Sequence, residues 1–267
     1  MTGTIRPWAE LKTTDFKHRN ARRMALLPVA AVEQHGPHLP LGTDSFILEA
    51  VIAGLKGRLA EGTDILVLPL QSIGDSTEHG DFPGTLTQEA ETLIASWTAL
   101  GEKVSDSGIR KLAIVNAHGG QPQIVDIVAQ RLRAECGMLV GRINTFLFGV
   151  PENMFSADEL AFGYHGGEVE TSLMLAIAPH LVDRKSAKNF PTLARALAKK
   201  SKAFGAEGAA GFAWQAQDLN PSGATGNALA ADSRRGKALL AHLSERLADT
   251  LNEMAAFPLS HLKEGTK

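Results

Sequence analysis

The chain has 267 residues, 44% of them hydrophobic and 21% charged, which is enough for one large domain with a sizeable buried core. Lys and Arg number 27 against 29 Asp and Glu, so the net charge of −2 creates no field that would concentrate a polyanion. We therefore expect no nucleic-acid partner.

The compartment is predicted from the cysteine count and the amino-terminal residues. Cys136 is the single cysteine and has no partner for an internal disulfide, and residues 1–20 lack the continuous apolar stretch of a signal peptide. No uncharged apolar run approaches the ~18 to 20 residues that cross a bilayer. We expect a soluble protein of the reducing cytoplasm, without a membrane partner.

Strands and helices are predicted to alternate along the first half of the chain. Residues 24–32 form a short apolar run typical of a strand, and Pro28 within it indicates an edge position or a bulge. Apolar residues then recur at helical spacing over 45–59. A second strand is predicted over 64–70, and a second helix over 87–107.

The same alternation continues in the second half. Residues 111–115 have the length and composition of a buried strand, and a helix is predicted over 121–136. Residues 138–147 supply another strand, and a further helix begins with 168–176. A long amphipathic helix is predicted over 232–254.

Strand–helix alternation repeated about four times predicts an α/β fold, with a mostly parallel sheet covered by helices on both faces. We expect a single domain over residues 1–267, with the Ala-, Lys- and Gly-rich segment 194–211 as a mobile excursion. In such sheets ligands bind beyond the carboxyl ends of the strands. Histidine-bearing loops follow the first three predicted strands, so we expect these loops to meet at one edge of the sheet.

The segment after the first strand has the residue types of a metal site. Glu33 and His35 stand two residues apart at a strand end, so both side chains point to the same face. Asp44, after a Gly-Thr turn at a helix start, can join them. Two carboxylates and an imidazole form a ligand set suited to Zn²⁺, Mn²⁺ or Fe²⁺. The alternative is that the carboxylates are solvated caps and His35 is a packed turn residue.

Two further segments carry histidines in similar surroundings. His118 follows a buried apolar run and precedes Gly119 and Gly120, where a backbone can approach an ion closely, although a capping role for His118 fits equally well. His165 and Glu168 open a predicted helix and offer an imidazole and a carboxylate three residues apart. Taken alone, each of these segments is a weak signal.

Together, these residues resemble the creatininase, or creatinine amidohydrolase, family of metal-dependent amidohydrolases. Four segments carry the resemblance in the family's order: 33–44 (EQHGPHLPLGTD), 76–85 (STEHGDFPGT), 116–121 (NAHGGQ) and 165–172 (HGGEVETS). The last third of the chain resembles the family only loosely. The resemblance implies the family's three-layer α/β/α fold and its assembly into a homo-oligomer, specifically a hexamer.

The resemblance also implies two divalent ions, which we expect to be Zn, Mn or Fe. One ion is expected on Glu33, Asp44 and His118, and the other on His35 and Asp44, with Asp44 bridging the two. Creatinine-cleaving members complete the second ion's ligands with a glutamate two residues after the histidine of the third segment. This chain has Gly120 at that position.

We expect Glu168 to supply the missing second-ion ligand. A catalytic ion normally keeps about three protein ligands beside its water, and the first three segments leave the second ion with only two. Glu168 lies three residues beyond His165, and residues at this spacing share a face of a helix. Glu170 is expected to point elsewhere.

His165 matches the residue that the family uses as general acid/base. An imidazole with an ordinary pKa near ~6.5 can protonate a departing amide nitrogen at pH 7. Other residues of the four segments are expected to contact the substrate or to orient the metal ligands from behind. These residues are His38, Ser76, Glu78, His79, Gly119, Gly120 and Tyr164.

The predicted function is a metal-dependent amidohydrolase that cleaves a C–N bond of a cyclic amide, a formamide or a related small-molecule amide, creatinine being one option. Residues 155–164 lack the tryptophan that creatinine-specific members carry shortly before the second histidine motif. A deformylase or a peptidase of a cofactor-biosynthesis pathway is therefore an alternative. A second alternative is a metal-stabilised oligomeric subunit without activity.

Overall fold

The computed structural model describes residues 2–17 and 20–263, and its central feature is a five-stranded sheet. All four strand pairings are parallel, and the spatial order is β1-β3-β2-β4-β5. The predicted parallel sheet is thus confirmed, with one additional edge strand, β1, whose mixed sequence TIRP gave no strand signal. The strands are β1 (Thr4–Pro7), β2 (Arg23–Val29), β3 (Asp64–Val67), β4 (Lys111–Asn116) and β5 (Leu139–Asn144).

Helices cover both faces of this sheet and complete the predicted three-layer α/β/α fold. One face packs against α1 (Thr43–Ala53), α5 (Glu168–Ile177) and α8 (Ser233–Ala256), and the other against α2 (Ala90–Asp106) and α3 (Pro122–Cys136). Strand β2 explains the arrangement, because its alternate residues point to opposite faces and both sets are apolar. Met24 and Leu26 enter the first core, whereas Ala25 and Leu27 enter the second.

Strand β2 lies in the centre of the sheet, so the edge position predicted from Pro28 is wrong. The ladder between β2 and β3 ends at the pair Leu26 and Val67, before the proline is reached. Beyond that pair, the Pro28 carbonyl accepts a hydrogen bond from the Gln71 amide at 3.0 Å. The missing N–H of proline therefore removes no bond of the ladder.

The chain between β5 and α8 is less regular. It contains the short helices α4 (Ala157–Phe162), α6 (Leu193–Ala198) and α7 (Ala216–Leu219), and a small antiparallel pair of β6 (Asn189–Phe190) with β7 (Gly226–Asn227). Part of the segment 194–211 packs in a small apolar cluster, and its mobility stays a prediction. Within residues 2–17 and 20–263, no helix combines the length and the apolar character needed to cross a membrane.

Candidate metal centre

Side chains from the predicted motifs converge at the carboxyl edge of the sheet, in an open cavity of about 640 Å³. The Nδ1 atom of His118 lies 3.3 Å from Oε1 of Glu33 and 3.4 Å from Oδ2 of Asp44. The Nε2 atom of His35 lies 3.2 Å from Oδ1 of Asp44. The structure therefore brings two imidazoles and two carboxylates within contact distance, as parallel-sheet topology leads one to expect.

The loop between β2 and α1 folds back on itself, which places Asp44 beside the end of β2. The Glu33 amide donates a hydrogen bond to the Leu41 carbonyl at 2.9 Å and closes the loop. Helix α1 begins at Thr43, so Asp44 occupies its first turn and points toward the strand that the loop left. An anionic side chain at this position is also favoured by the positive end of the helix.

Backbone carbonyls determine which nitrogen each imidazole presents to the cluster. Because a carbonyl only accepts hydrogen bonds, Nδ1 of His35 donates to the Glu33 carbonyl at 3.0 Å, and Nε2 of His118 donates to the Asp75 carbonyl at 2.7 Å. The unprotonated nitrogens, Nε2 of His35 and Nδ1 of His118, therefore face the carboxylates when the rings are neutral. Outer hydrogen bonds of this kind orient histidines that bind metals.

Two carboxylate oxygens in the cluster are buried without any hydrogen-bond donor from the described residues: Oε2 of Glu33 and Oδ2 of Asp44. Three overlapping groups place their ligand-type atoms within 4.8 Å of one another: Glu33 with His35 and Asp44, Glu33 with His79 and His165, and His35 with His165 and Glu170. Buried, donor-less carboxylates are costly unless a cation neutralises them. The donor set therefore fits divalent metal ions.

Without metal, protons compensate part of this negative charge. Burial opposes protonation of His35, but the hydrogen bond and charge of Asp44 raise the pKa of His35 to about 10. Burial likewise opposes protonation of His118, but Glu33 and Asp44 hold its pKa well above the usual value. Burial alone would raise the pKa of Glu33, yet the histidines around it, His118 foremost, keep that pKa well below its usual range.

His165 differs from these two histidines because its surroundings favour the neutral ring. Burial lowers the pKa of His165, and the charge of neighbouring His35 lowers it further. Its Nε2 donates to the Gln34 carbonyl, so the free nitrogen is Nδ1, which lies 3.7 Å from Oε1 of Glu33. The ring stacks against His79, with the ring centroids 4.2 Å apart. His165 thus offers a proton-accepting nitrogen directly beside the carboxylate cluster.

A sequence profile of one family, described as Creatininase (creatinine amidohydrolase), matches residues 9–251 of this chain. The chain belongs to the creatininase family.

Curated members of the family that resemble this chain have different activities. A mycofactocin precursor peptide peptidase from Mycobacterium ulcerans (strain Agy99) is 37% identical over 180 residues, which is 64% of this chain and 66% of that protein. A creatinine amidohydrolase from Pseudomonas putida is 29% identical over 175 residues, which is 59% of this chain and 65% of that enzyme. The match thus spans slightly less than two thirds of either relative's length.

Solved creatininase structures share the fold. A creatininase variant in complex with creatine superimposes with a TM-score of 0.73 at 24% identity, covering 94% of this chain and 98% of that chain. A creatinine amidohydrolase gives a TM-score of 0.71 at 24% identity, and the superposition covers 92% of this chain and 96% of that chain.

The structure does not bring Glu168 to the cluster, and the expectation that it completes the second ion's ligands is corrected. The Glu168 carboxylate is buried against Arg235 of α8. The carboxylate beside the cluster is that of Glu170, whose Oε1 lies 3.8 Å from Nε2 of His35. The expected spacing rule fails because His165 precedes α5 and pairs in extended conformation with Thr225, so His165 and Glu168 do not share a helical face.

Five of the residues expected to contact the substrate or to orient the metal ligands line the cavity: Glu78, His79, Gly119, Gly120 and Tyr164. A Cβ atom added at Gly120, the position of the glutamate of creatinine-cleaving members, would lie 2.2 Å from Oε1 of Glu78. The Glu78 carboxylate therefore fills the space that a side chain at position 120 would enter. Burial raises the pKa of Glu78 to about 7.

Two other predicted residues lie behind the cavity. His38 is buried, with Nε2 at 2.9 Å from Oγ1 of Thr171 in α5 and its ring stacked on Phe190. Ser76 is buried, and its carbonyl accepts a hydrogen bond from the His79 amide at 2.9 Å, which closes the turn that carries Glu78 and His79. Both positions suit a supporting role.

Sequence reasoning missed Gln34, which joins several parts of the centre. Its side-chain amide donates to Nδ1 of His79 at 2.7 Å and to the Gly223 carbonyl at 3.0 Å. The backbone carbonyl of Gln34 accepts a hydrogen bond from Nε2 of His165. The donation to Nδ1 leaves Nε2 of His79 directed at Glu33, 3.5 Å away. The position of Gln34 between Glu33 and His35 was the available signal.

Sequence reasoning also missed Glu159 of α4, which lies outside all four motifs. Its buried carboxylate accepts hydrogen bonds from the amides of Glu168 at 2.6 Å and Asn227 at 2.8 Å. Added Cβ atoms would lie within 2.5 Å of Oε1 of Glu159 at three glycines: Gly163, Gly167 and Gly226. No pattern in the sequence connects these distant glycines with one carboxylate.

Proposed function

We propose that this protein is a metal-dependent amidohydrolase that cleaves an amide C–N bond at a two-ion centre. The observation that carries the proposal is the convergence of two imidazoles with two buried carboxylates, each of which has one oxygen without a donor, beside one open cavity. One ion would be held by Glu33, Asp44 and His118. The other would be held by His35, Asp44 and Glu170.

Metal binding is also supported by solved relatives, which include a zinc form and a manganese form of creatininase. When bound, such ions lower the pKa of a coordinated water from 15.7 toward ~7 and polarise the amide carbonyl. Carboxylate and imidazole ligands accept Zn²⁺, Mn²⁺ and Fe²⁺, so all three are candidates.

His165 would move the proton that amide cleavage requires. Its Nδ1 is unprotonated and faces the cluster, so it accepts a proton from the attacking water and delivers it to the departing nitrogen. The hydrogen bond from Nε2 to the Gln34 carbonyl keeps the ring in this orientation. Positioned proton transfer of this kind contributes about 10² to 10⁴ in rate.

A peptide-type amide is the substrate class that we favour. Its volume of about 640 Å³ lies within the range of roughly 300 to 1,000 Å³ typical of sites for drug-sized ligands, so it has room for more than one small ring. The peptidase relatives support this substrate class, as does Gly120 in place of the glutamate of creatinine-cleaving members. A cyclic amide such as creatinine is the second candidate, favoured by the Pseudomonas putida relative.

The test is a screen of the protein reconstituted separately with Zn²⁺, Mn²⁺ and Fe²⁺ against short peptides, formamides and cyclic amides including creatinine. We expect release of an amine from peptide substrates. His165→Asn should retain its metal while losing activity by about 10² to 10⁴. Bound metal without turnover of any amide would instead support a non-catalytic, metal-stabilised subunit.

A further inference from the structure

A second cavity of about 210 Å³ adjoins the cavity of the metal centre. The two cavities share a wall formed by Ala117, Phe146, Tyr164 and Glu170. Beyond this wall the second cavity, here named the apolar chamber, is lined mainly by aliphatic side chains. They include Ile47, Val150, Leu160, Leu173, Leu239 and Leu243.

The apolar chamber begins next to residues that would hold the ions. Ile47 lies one turn after Asp44 on α1, and Leu173 lies one turn after Glu170 on α5. Ala117 directly precedes His118 in the chain. The chamber therefore lies close enough to the metal centre that a group attached to a bound amide would need no long spacer to enter it.

The few polar side chains beyond the shared wall are already hydrogen-bonded within the protein. Thr145 Oγ1 donates to the Asn116 carbonyl at 3.2 Å, and the Glu159 carboxylate accepts from two backbone amides. No Lys or Arg belongs to the described lining of the chamber. A polar substituent would lose part of its hydration there without gaining partners, whereas an apolar substituent would gain from burial.

The volume limits the size of the group. An apolar cavity of about 150 Å³ is sufficient to bind benzene. The chamber, at about 210 Å³, holds one branched aliphatic group or a single aromatic ring.

We propose that the apolar chamber is a side-chain subsite, which selects peptide-type amides that carry a branched aliphatic or single-ring aromatic group next to the scissile bond. The proposal rests on the amidohydrolase function proposed above. It assigns the chamber a role that neither the metal ligands nor His165 perform.

The test uses hydroxamates, which chelate divalent ions, so that binding is measured without knowledge of the natural substrate. Dissociation constants of the zinc-loaded protein are measured by calorimetry for acetohydroxamate, 3-methylbutanohydroxamate, phenylacetohydroxamate and glycine hydroxamate. We expect the two apolar tails to bind at least tenfold more tightly than acetohydroxamate. Glycine hydroxamate, which is charged, should bind no more tightly than acetohydroxamate.

Two variants locate the tail. Val150→Phe fills the chamber, and Leu160→Lys places a charge in its lining. Both variants should remove most of the tenfold gain in affinity that the two apolar tails give, while leaving the affinity for acetohydroxamate unchanged. Leu147→Lys is the matched control for Leu160→Lys, because Leu147 is 73% exposed and does not line the chamber. It should retain the full gain.

The outcomes separate the two proposals. If no hydroxamate binds, the metal centre itself fails. If acetohydroxamate binds but the apolar tails add nothing, or if their gain survives in both chamber variants, the subsite is overturned while the metal centre stands. If Val150→Phe does not fold, as judged by its thermal transition, the subsite is tested by comparing the hydroxamate affinities of Leu160→Lys with those of its control Leu147→Lys.

Discussion

At the residue scale, the binding of the proposed metal ions would displace protons from the centre. His35 and His118 hold protons in the metal-free site because Asp44 and Glu33 stabilise the charged rings. Only neutral imidazoles bind metals, so loading the centre requires deprotonation of both. The same carboxylates would therefore neutralise two kinds of cation, the imidazolium rings before metal binds and the divalent ions afterwards.

Metal binding at pH 7 is expected to release about two protons per chain. The pKa of His35, raised from 6.5 to about 10, and the raised pKa of His118 keep both rings protonated at pH 7. Protons therefore compete with the ions, and the affinity for metal should fall as the pH is lowered. Calorimetric titration in buffers of different ionisation enthalpy counts the released protons, and a count near zero would contradict the protonated pair.

Glu170→Gln and Glu168→Gln form a matched pair that tests the corrected assignment. Glu170→Gln should weaken the affinity for the proposed second ion by at least about tenfold, because a carboxylate beside His35 is lost. Glu168→Gln should leave the metal content unchanged and should destabilise the protein by roughly 1 to 3 kcal/mol, through the bond to Arg235. Elemental analysis and urea unfolding measure the two effects, and the reverse pattern would restore Glu168 as the ligand.

Helix α5 is the element whose exact start determines half of the centre. Because α5 begins at Glu168 rather than at His165, Glu170 turns toward His35 and Glu168 turns toward α8. The N-terminus of α5 is bound by the carboxylate of Glu159, which also holds β7 through Asn227. Thr225, two residues earlier, pairs with His165. Glu159 thus connects the helix that carries Glu170 with the strand that supports His165.

Glu159→Ala is expected to destabilise the protein by roughly 2 to 5 kcal/mol. The change leaves two backbone amides without their buried acceptor and removes a negative charge from a helix N-terminus. Asp158→Ala is the control, because Asp158 is the neighbouring residue and its exposed carboxylate pairs with Arg195 at the surface. This change should lower the free energy of unfolding by only about 0 to 1 kcal/mol. Urea unfolding measures the free energy of unfolding of both variants. Equal losses would show that the hydrogen bonds of Glu159 stabilise the protein no more than the surface ion pair of Asp158.

The distribution of apolar surface at the scale of the whole molecule is uneven. Most large hydrophobic side chains are divided between the two cores that flank the sheet. Phe146, Leu147 and Leu160 remain 46%, 73% and 50% exposed, and two of them line the apolar chamber. Exposed apolar groups of this kind favour contact with other molecules.

We expect the chain to assemble as a homo-oligomer, specifically a hexamer, as its resemblance to the creatininase family implies. Sedimentation velocity at micromolar concentration should give a species of six times the mass of the chain. A single monomeric species for the unmodified chain would refute the assembly.

The sequence by itself determined the architecture and the convergence of most of the residues predicted as ligands. Buried parallel strands must be apolar on both faces, so β2, β3 and β4 were visible as short runs, and the helices between them showed their spacing. The motifs after these strands had to meet, because parallel strands end at one edge. Glu33, His35, Asp44 and His118 were therefore brought together as predicted.

Only the tertiary structure decided which way the side chains of less regular segments point. The correction from Glu168 to Glu170 turned on His165, which lies in an extended segment before α5 and shares no helical face with Glu168. Helix ends are set by local packing. The central position of Pro28 follows from the pairing of β2 with both β3 and β4, and the proline is tolerated there because the ladder with β3 ends before it. The contacts of Glu159 with residues near positions 168 and 227, and the apolar chamber between α1, α5 and α8, join parts of the chain far apart in sequence. A local pattern carries no information about such contacts, because they exist only after the layers have packed.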